Sequence, residues 1–557
     1  MTCFEDPETR GMMHELTLYQ NSFQRKPKKP HIELPQDRSS LVTEMLKTLP
    51  MDGSFATAYG LYVVHWEGFT RVMHLETLLK ESREVQNFLF LQGPNGNYLL
   101  PPSIRESLIP QMIGILALSA RLINDPSRRV TQDQISNWAG MIQRWLDGLK
   151  GKERLNLQTL RIQILLLLIK VNNLAQTSDL WKESGSLVRS AMIVGLHQDP
   201  ENYEEISLFE KEQRRKLWRT IIELDMQFSL VGGMPAAIRS SDFNSRPLRN
   251  VGDFELRDDM VTYPENQPER LWTDALSQVV LSASIKERLD ATNILAGNIS
   301  PGEDAETLLR LARFFEHSLQ SLPTPSRAEE VSGHGNERSP GKLFMKIMLD
   351  VQLRRPTLCI YQHIMLSDWG GRYREARKGA VRSAIAMLNH LDALDPEVAD
   401  PNIIKTRDQL NLFHVLCKKD IIQAALILCL EIRSLREGEG RVNGVQILQD
   451  DILPWTKTSL TRIVENTLNS LLQRLGEFGS DLKDILPLIV VLQCARSDGT
   501  PEDKKLLMRK GTERVLKACR EALPLIAQTP AASHDGNAHS PSSNKVRISF
   551  FCFVGRD

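Results

Sequence analysis

"LNLQTLRIQILLLLIKVNNLAQ", residues 155–176, is the stretch on which the fold turns. Leu157, Leu160, Ile164, Leu167, Leu168 and Val171 recur at the spacing of one helical face, and Leu165 and Ile169 widen that stripe. A helix apolar on most of its circumference belongs inside a protein or a membrane. The densest aliphatic run, "ILLLLI" at 164–169, falls far short of the roughly 20 residues a spanning helix needs,. The stretch therefore reads as the centre of a helical globular core.

Working outward, "LVRSAMIVGLHQDP" (187–200) ends a second helix. Thr177 or Ser178 is placed to cap its start, with Asp179 and Glu183 near the positive end of the helix dipole,. Leu180, Ser184, Leu187, Val188, Ala191 and Met192 fall on one face, and Gly195 follows where a left-handed residue closes a helix,. Leu196 is placed for the accompanying apolar contact, and Pro200 prevents the helix from resuming,. His197 sits where an imidazole can donate to the last carbonyls. As a metal ligand it would need a second donor at ligand spacing, and only Asp199 qualifies. The reading is architecture.

The same periodicity runs from about 56 to 320 and again from about 342 to 527, with almost no strand alternation. The fold is expected to be all-α, a large multi-helix bundle. Residues 1–55 are weakly patterned and carry the basic, proline-broken "RKPKKPH" (25–31), a solvated tail or a nuclear import signal,. "SLPTPSRAEEVSGHGNERSPG" (321–341) reads as a linker, and "QTPAASHDGNAHSPSSNK" (528–545) as disordered by composition,. The final "VRISFFCFVGRD" is apolar without an evident partner. The expected organisation is an N-terminal segment at 1–55, a main domain at 56–365, a helical continuation at 366–527 and a tail at 528–557.

With 557 residues, length alone suggests three or four domain-sized units,. Lys plus Arg equals Asp plus Glu, 69 each, so no global basic surplus marks a nucleic-acid binder,. Apolar residues at 41% and charged residues at 25% are ordinary for a soluble protein,. The acidic start "MTCFEDPETR" has no signal-peptide core, so an intracellular, soluble chain is expected, with no membrane partner,. Cys3, Cys359, Cys417, Cys429, Cys494, Cys519 and Cys552 are scattered, which excludes CxxC zinc spacing and argues against a disulfide framework,. HExxH, GxSxG, GxxxxGK[ST] and GxGxxG are missing, and "GHGNER" (333–338) lies in the linker,. No catalytic, cofactor or metal residue is assigned, and an enzyme is the least favoured reading.

Five segments in order carry a resemblance. "LWKESGSLVRSAMIVGLHQDP" (180–200) is similar to the signature of the regulatory domain in fungal zinc-cluster transcription factors, the xylanolytic-activator type. The next segment, "FEKEQRRKLWRTIIELDMQFSLVGGMPAAIRSSDFNSRPLRNVGDFEL" (209–256), resembles the family's charged helix and the turns after it. Arg214, Arg215, Leu217 and Trp218 match, Lys216 replaces a third arginine, Asp225 matches the family's later aspartate, and Pro235 lies in the Gly-x-Pro turn. "VQLRRPTLCIYQH" (351–363), with Arg355 and Pro356, resembles the closing helix, and "YVVHWEGFTRVMHLETLLKE" (62–81) more loosely the opening one.

Gly195, Leu196, His197 and Asp199 complete the signature set, whose roles read as structural. Asp225 lies beside an apolar row formed by Leu217, Ile221, Leu224 and Phe228, so its carboxylate needs a partner from another element,. Arg214, Arg215, Lys216 and Arg219 read as a solvated, paired face beside Glu210 and Glu212, in preference to a contact patch,.

The family's DNA-binding module holds two zinc ions on six cysteines. Only Cys3 precedes residue 359, so no position here takes over its zinc or DNA contacts. The resemblance implies nuclear control of RNA polymerase II genes through the helical domain, with DNA reached indirectly or through a module this chain lacks. No cofactor is expected, zinc entering only with an upstream cysteine cluster. The resemblance also implies homo- or heterodimers with related regulators, coregulators and a small-molecule effector. The alternative is a non-DNA-binding partner or sensor that modulates full-length relatives.

Overall fold

A computed structural model describes residues 7–24, 35, 37–50, 54–93, 96, 98–123, 130–173, 175–297, 299–300, 302–322, 340–367, 370–439, 454–475 and 482–522. These residues form α-helices without a strand: α1 Pro7–Gln24, α2 Arg38–Thr48, α3 Ser54–Tyr62, the single turn α4 Gly68–Thr70, α5 Leu75–Gln92, α6 Leu108–Ser119, α7 Gln132–Gly148, α8 Leu157–Asn172, α9 Thr177–Ile193 and α10 Leu208–Gly232. They continue as α11 Leu276–Ala283, α12 Ile285–Leu295, α13 Glu303–Gln320, α14 Pro340–Leu366, α15 Arg374–Leu394, α16 Asp408–Leu416, α17 Lys418–Glu439, α18 Lys457–Gln473, α19 Leu482–Arg496 and α20 Pro501–Ala522. The basic stretch 25–31, most of the linker and the tail from 523 lie outside the described residues.

Helix starts follow side-chain chemistry. Asp37, Thr131, Asn156 and Ser207 each accept a backbone N–H from the first turn of the helix they precede, satisfying an orphan donor,. α6 is buried at every position and α8 at most of them, as its apolar circumference requires. α8 packs between α6 and α9, α9 against α10, and α10 against α12 and α14. α14 then meets α13 and α15, and the run closes through α17, α19 and α20 back onto α1.

One apolar cluster runs from Leu16 to Cys519, so the chain does not divide its core into the several units that length suggests. The weakly patterned residues 1–55 hold α1 and α2, the first seated on α20 through buried Leu16 and Tyr19. At its rim Arg520 donates to both Glu15 carboxylate oxygens at 2.8 and 2.7 Å. α1 is not an evident amphipathic helix by itself; its burial comes from a partner some 500 residues away.

Residues 62–81 are not one helix. α3 gives way to a π-helical stretch at Val63–Glu67, then α4, and the chain breaks at Arg71, whose φ of +52° is left-handed. A non-glycine residue there is strained unless its surroundings hold it. Glu67 supplies the hold, accepting the Val72 and Met73 backbone N–H groups at 3.1 and 2.9 Å.

Candidate functional site

The signature set assembles around α9 and α10. Gly195 adopts φ +83°; its N–H donates to Met192 and that of Leu196 to Ala191, the paired bonds of a Schellman cap,. Leu196 is buried in the core. Two expectations at this helix need correction. α9 begins after Gln176 without a side-chain cap, so neither Thr177 nor Ser178 caps it. The His197 ring does not serve the last carbonyls either: it lies 6.3 Å from the Trp218 ring, centre to centre, and its buried Nδ1 has no partner. Gly195 and Leu196 already close the helix, and the imidazole packs against α10.

Asp199 is a hub. It caps the short turn Pro200–Asn202, accepts the Arg246 backbone N–H at 2.6 Å, and accepts Arg215 at 2.8 Å. Arg215 also donates to Glu212 at 2.7 Å and Glu201 at 2.8 Å. Burial alone would raise the Asp199 carboxyl, but the Arg215 hydrogen bond and the backbone donors hold it below the usual carboxylate range,.

Lys216 enters a second cluster, with Glu67 at 3.4 Å and Asp253 at 3.4 Å, while Arg71 donates to Asp253 at 2.6 Å. All four side chains are essentially shut from water. Burial would raise Asp253, yet Arg71 and Lys216 hold it well below the usual range; burial also dominates Glu67, which is raised.

The expected solvated face of Arg214, Arg215, Lys216 and Arg219 is therefore overturned for the last three. Only Arg214 behaves as read, pairing with Glu210 at 2.9 Å on a half-buried surface. The others are buried because neighbouring turns fold over α10: the 199–201 turn supplies Asp199 and Glu201 to Arg215, and the 66–74 and 243–253 segments supply carboxylates and carbonyls to Lys216 and Arg219. Arg219, for example, donates to the Ser245 carbonyl and lies over the Phe243 ring. Leu217 and Trp218 fill the core beside them.

Asp225 does draw its partners from other elements. Ser184 of α9 donates to one carboxylate oxygen at 2.9 Å and the Ala237 N–H to the other at 2.7 Å. The Pro235 carbonyl accepts Trp181 Nε1 at 2.9 Å, tying the same turn to α9. Arg355 makes a two-pronged pair with Asp420 at 2.7 and 2.6 Å and contacts Gln227; Pro356 follows inside α14. Gln227 donates to Glu223 at 2.6 Å, and Glu223 accepts Arg288 at 2.7 and 2.8 Å. A buried polar chain thus joins α17, α14, α10 and α12.

That chain ends on a feature no motif marks. The C-terminal end of α10, α12, α14, the start of α17 and Asp484 of α19 enclose a cleft of about 650 Å³. Leu230, Leu295, Leu366, Ile422 and Leu426 supply an apolar body, and Arg355 with Asp420 its polar floor. Lys418 and Asp484 pair at 2.6 Å at one edge. Lys419, beside them, makes no ion pair among the described residues. Cys359 lines the wall with its thiol pushed up to about 11 by burial, which keeps it protonated. The lining residues run from 229 to 484 without local spacing, so only the assembled fold reveals the site. Among the described residues no group of three or more His, Cys, Asp or Glu is placed to hold a metal, and no helix is long and apolar enough to cross a membrane.

A mostly apolar cleft of this volume with a few polar groups on its floor has the make-up of a small-ligand site,. Residues 61–290 match the family model described as the fungal specific transcription factor domain. It is 26% identical over 356 residues to transcription factor opdR of Penicillium oxalicum (strain 114-2 / CGMCC 5302), covering 63% of this chain and 43% of that protein. It is 23% identical over 355 residues to transcription factor lepE of Aspergillus flavus, covering 63% of this chain and 40% of the relative. A third relative, the Zn(2)-C6 fungal-type transcription factor mpsB of Macrophomina phaseolina, is 24% identical over 263 residues, 46% of this chain and 34% of its own. The matched part spans less than half the length of these curated relatives. No solved structure matches the chain.

Proposed function

We propose that this chain is the helical regulatory part of a fungal transcription regulator, acting in the nucleus on RNA polymerase II genes through binding rather than catalysis. The observation that carries the reading is the match of residues 61–290 to a fungal transcription factor domain, together with relatives that bear that name. The burial of the domain's charged signature in closed pairs supports an architectural role for those residues. The raised thiols of Cys359, Cys417 and Cys429, each protonated through burial, speak against nucleophilic cysteine chemistry,.

DNA is then reached indirectly or through a module outside this chain, and zinc belongs to that module. The chain pairs with itself or with related regulators and answers to coregulators and a small-molecule effector. Regulation uses the seam between residues 61–290 and the helices that follow. The cleft draws lining from both, so a ligand that prefers one arrangement of α10 against α14 and α17 shifts the population toward it.

The test tethers the full chain to a heterologous DNA-binding module in a fungal host carrying a matching reporter, with a fluorescent tag for location. Nuclear accumulation with a change in reporter output, relative to the module alone, is the expected result. A stable, nuclear fusion that leaves the reporter unchanged would sink the reading.

A further inference from the structure

We propose that the cleft between α10, α12, α14 and α17 binds a small monoanionic amphiphile, an apolar body carrying one carboxylate, with Lys419 receiving the carboxylate; this rests on the regulatory reading above. The cleft lies within the roughly 300–1,000 Å³ range of small-ligand sites, and its lining sets a group of aliphatic side chains beside polar and charged ones, as an amphiphile requires,. Its charge count selects the headgroup. Both carboxylates at the edge and floor are occupied, Asp420 by two bonds from Arg355 and Asp484 by Lys418. A cationic ligand would therefore have to break a pair to find a counter-ion.

Three lining cations, Arg355, Lys418 and Lys419, face two carboxylates, Asp420 and Asp484; Lys419 has neither within ion-pair distance, only at longer range, so one further negative charge completes the site. A dianion would find no second spare cation there. His363 and Cys359 are the other titratable groups on the wall; burial lowers the proton affinity of His363, leaving a neutral imidazole that can donate one hydrogen bond. The α17 N-terminus opens at the same edge, and a helix N-terminus favours an anion there,. An electrophilic ligand is disfavoured, since the Cys359 thiol stays protonated. The ligand also has a route to be felt: the floor residue Arg355 is the first link of the chain through Gln227 and Glu223 to Arg288 on α12.

The test is isothermal titration of the full chain with dodecanoate below its micelle concentration, with dodecanol and dodecylamine as headgroup controls. Saturable 1:1 binding of dodecanoate is expected, at least tenfold tighter than dodecylamine. Lys419→Gln, at an exposed position, should weaken dodecanoate at least tenfold and leave dodecanol unchanged, while Lys419→Arg retains affinity. Leu295→Trp, which fills the cleft, should abolish all binding. No saturable dodecanoate binding, amine binding as tight as carboxylate, or an unchanged affinity in Lys419→Gln each overturns the proposal. The tethered-reporter result is independent of these titrations, so a failed ligand assignment and a failed regulator assignment are told apart.

Discussion

In its N-terminal half, α10 surrounds Arg215 and Lys216 with Asp199, Glu212, Glu67 and Asp253, all nearly sealed from water. Beyond its C-terminal end, in the cleft, Lys418 pairs with half-buried Asp484, while Lys419 has no carboxylate within ion-pair distance and feels Asp484 and Asp420 only at longer range. The two regions use the same side-chain chemistry at opposite degrees of closure. A buried ion must be over-determined by partners, because an unpaired charge in the interior costs several kcal/mol. A spare cation at a cleft edge is tolerated because water reaches it, and it remains available to a ligand. Asp199, Arg215 and Lys216 lie in the first region, whereas Arg355 forms the floor of the second, where the candidate ligand site lies.

The largest effect expected from breaking this contrast is at Asp253. Asp253→Ala leaves Arg71 and Lys216 facing each other without their shared carboxylate, in a site closed to solvent. Loss of about 3–5 kcal/mol is expected, the usual penalty for removing one partner of a buried pair. Urea unfolding of the full chain measures it, and a loss under about 1 kcal/mol would mean that the sealed network is looser than its distances imply.

A smaller loss is expected at the α9 cap. Gly195 has open space around an added Cβ, so Gly195→Ala tests backbone conformation alone. A left-handed non-glycine residue costs roughly 1–2 kcal/mol. An unchanged unfolding midpoint would show that the 195–200 turn rearranges freely.

Acid should act on buried histidines spread through the core, of which only His74 touches the sealed network, through the Asp253 carbonyl. Burial lowers the proton affinity of His65, His74 and His414 below the ordinary imidazole value of 6.5. The unfolded chain then binds protons that the native state refuses, so stability is full above 6.5 and falls as pH drops toward the folded-state values. Asp253, held low by Arg71 and Lys216, adds a further loss below 3.8, as the unfolded carboxyl takes up its proton. Melting temperature between pH 7.5 and 5 reads the first window, and His414→Gln should flatten its slope. A slope unaltered by that change would place the acid sensitivity elsewhere.

How much of this was legible in the sequence depends on the range of the interaction. The Gly195 cap, the buried α8 helix and the need of Asp225 for an outside partner follow from spacing within one or two helices, and all three appear as read. The interior charges of α10 do not, because their partners at 67, 199 and 253 come from segments with no local signal. The π-helical turn at 63–67 interrupts what reads as one continuous helix, and it is held by Glu67 bonding to backbone beyond it. His197 was misplaced for a related reason: position after a helix suggests a cap, whereas Trp218 on the next helix offers a packing surface. The cleft has no sequence pattern at all, since residues of five helices enclose it.

The smallest stability effect, and the sharpest test of the comparison, is Lys419→Gln. Lys419 is exposed at the cleft edge, and the partial desolvation that lowers its proton affinity is opposed by Asp484 and Asp420. Removing the charge should be neutral to slightly stabilising, within about 0.5 kcal/mol, as for a surface position without a partner. Arg355→Gln, on the floor of the same cleft, leaves buried Asp420 without its two-pronged partner and should cost about 3–5 kcal/mol,. Parallel urea titrations decide the matter. If both variants lose stability alike, the cleft is a sealed network like the one around Lys216, and its spare cation is structural. If only Arg355→Gln does, the floor belongs to the scaffold and the edge is free to serve a ligand.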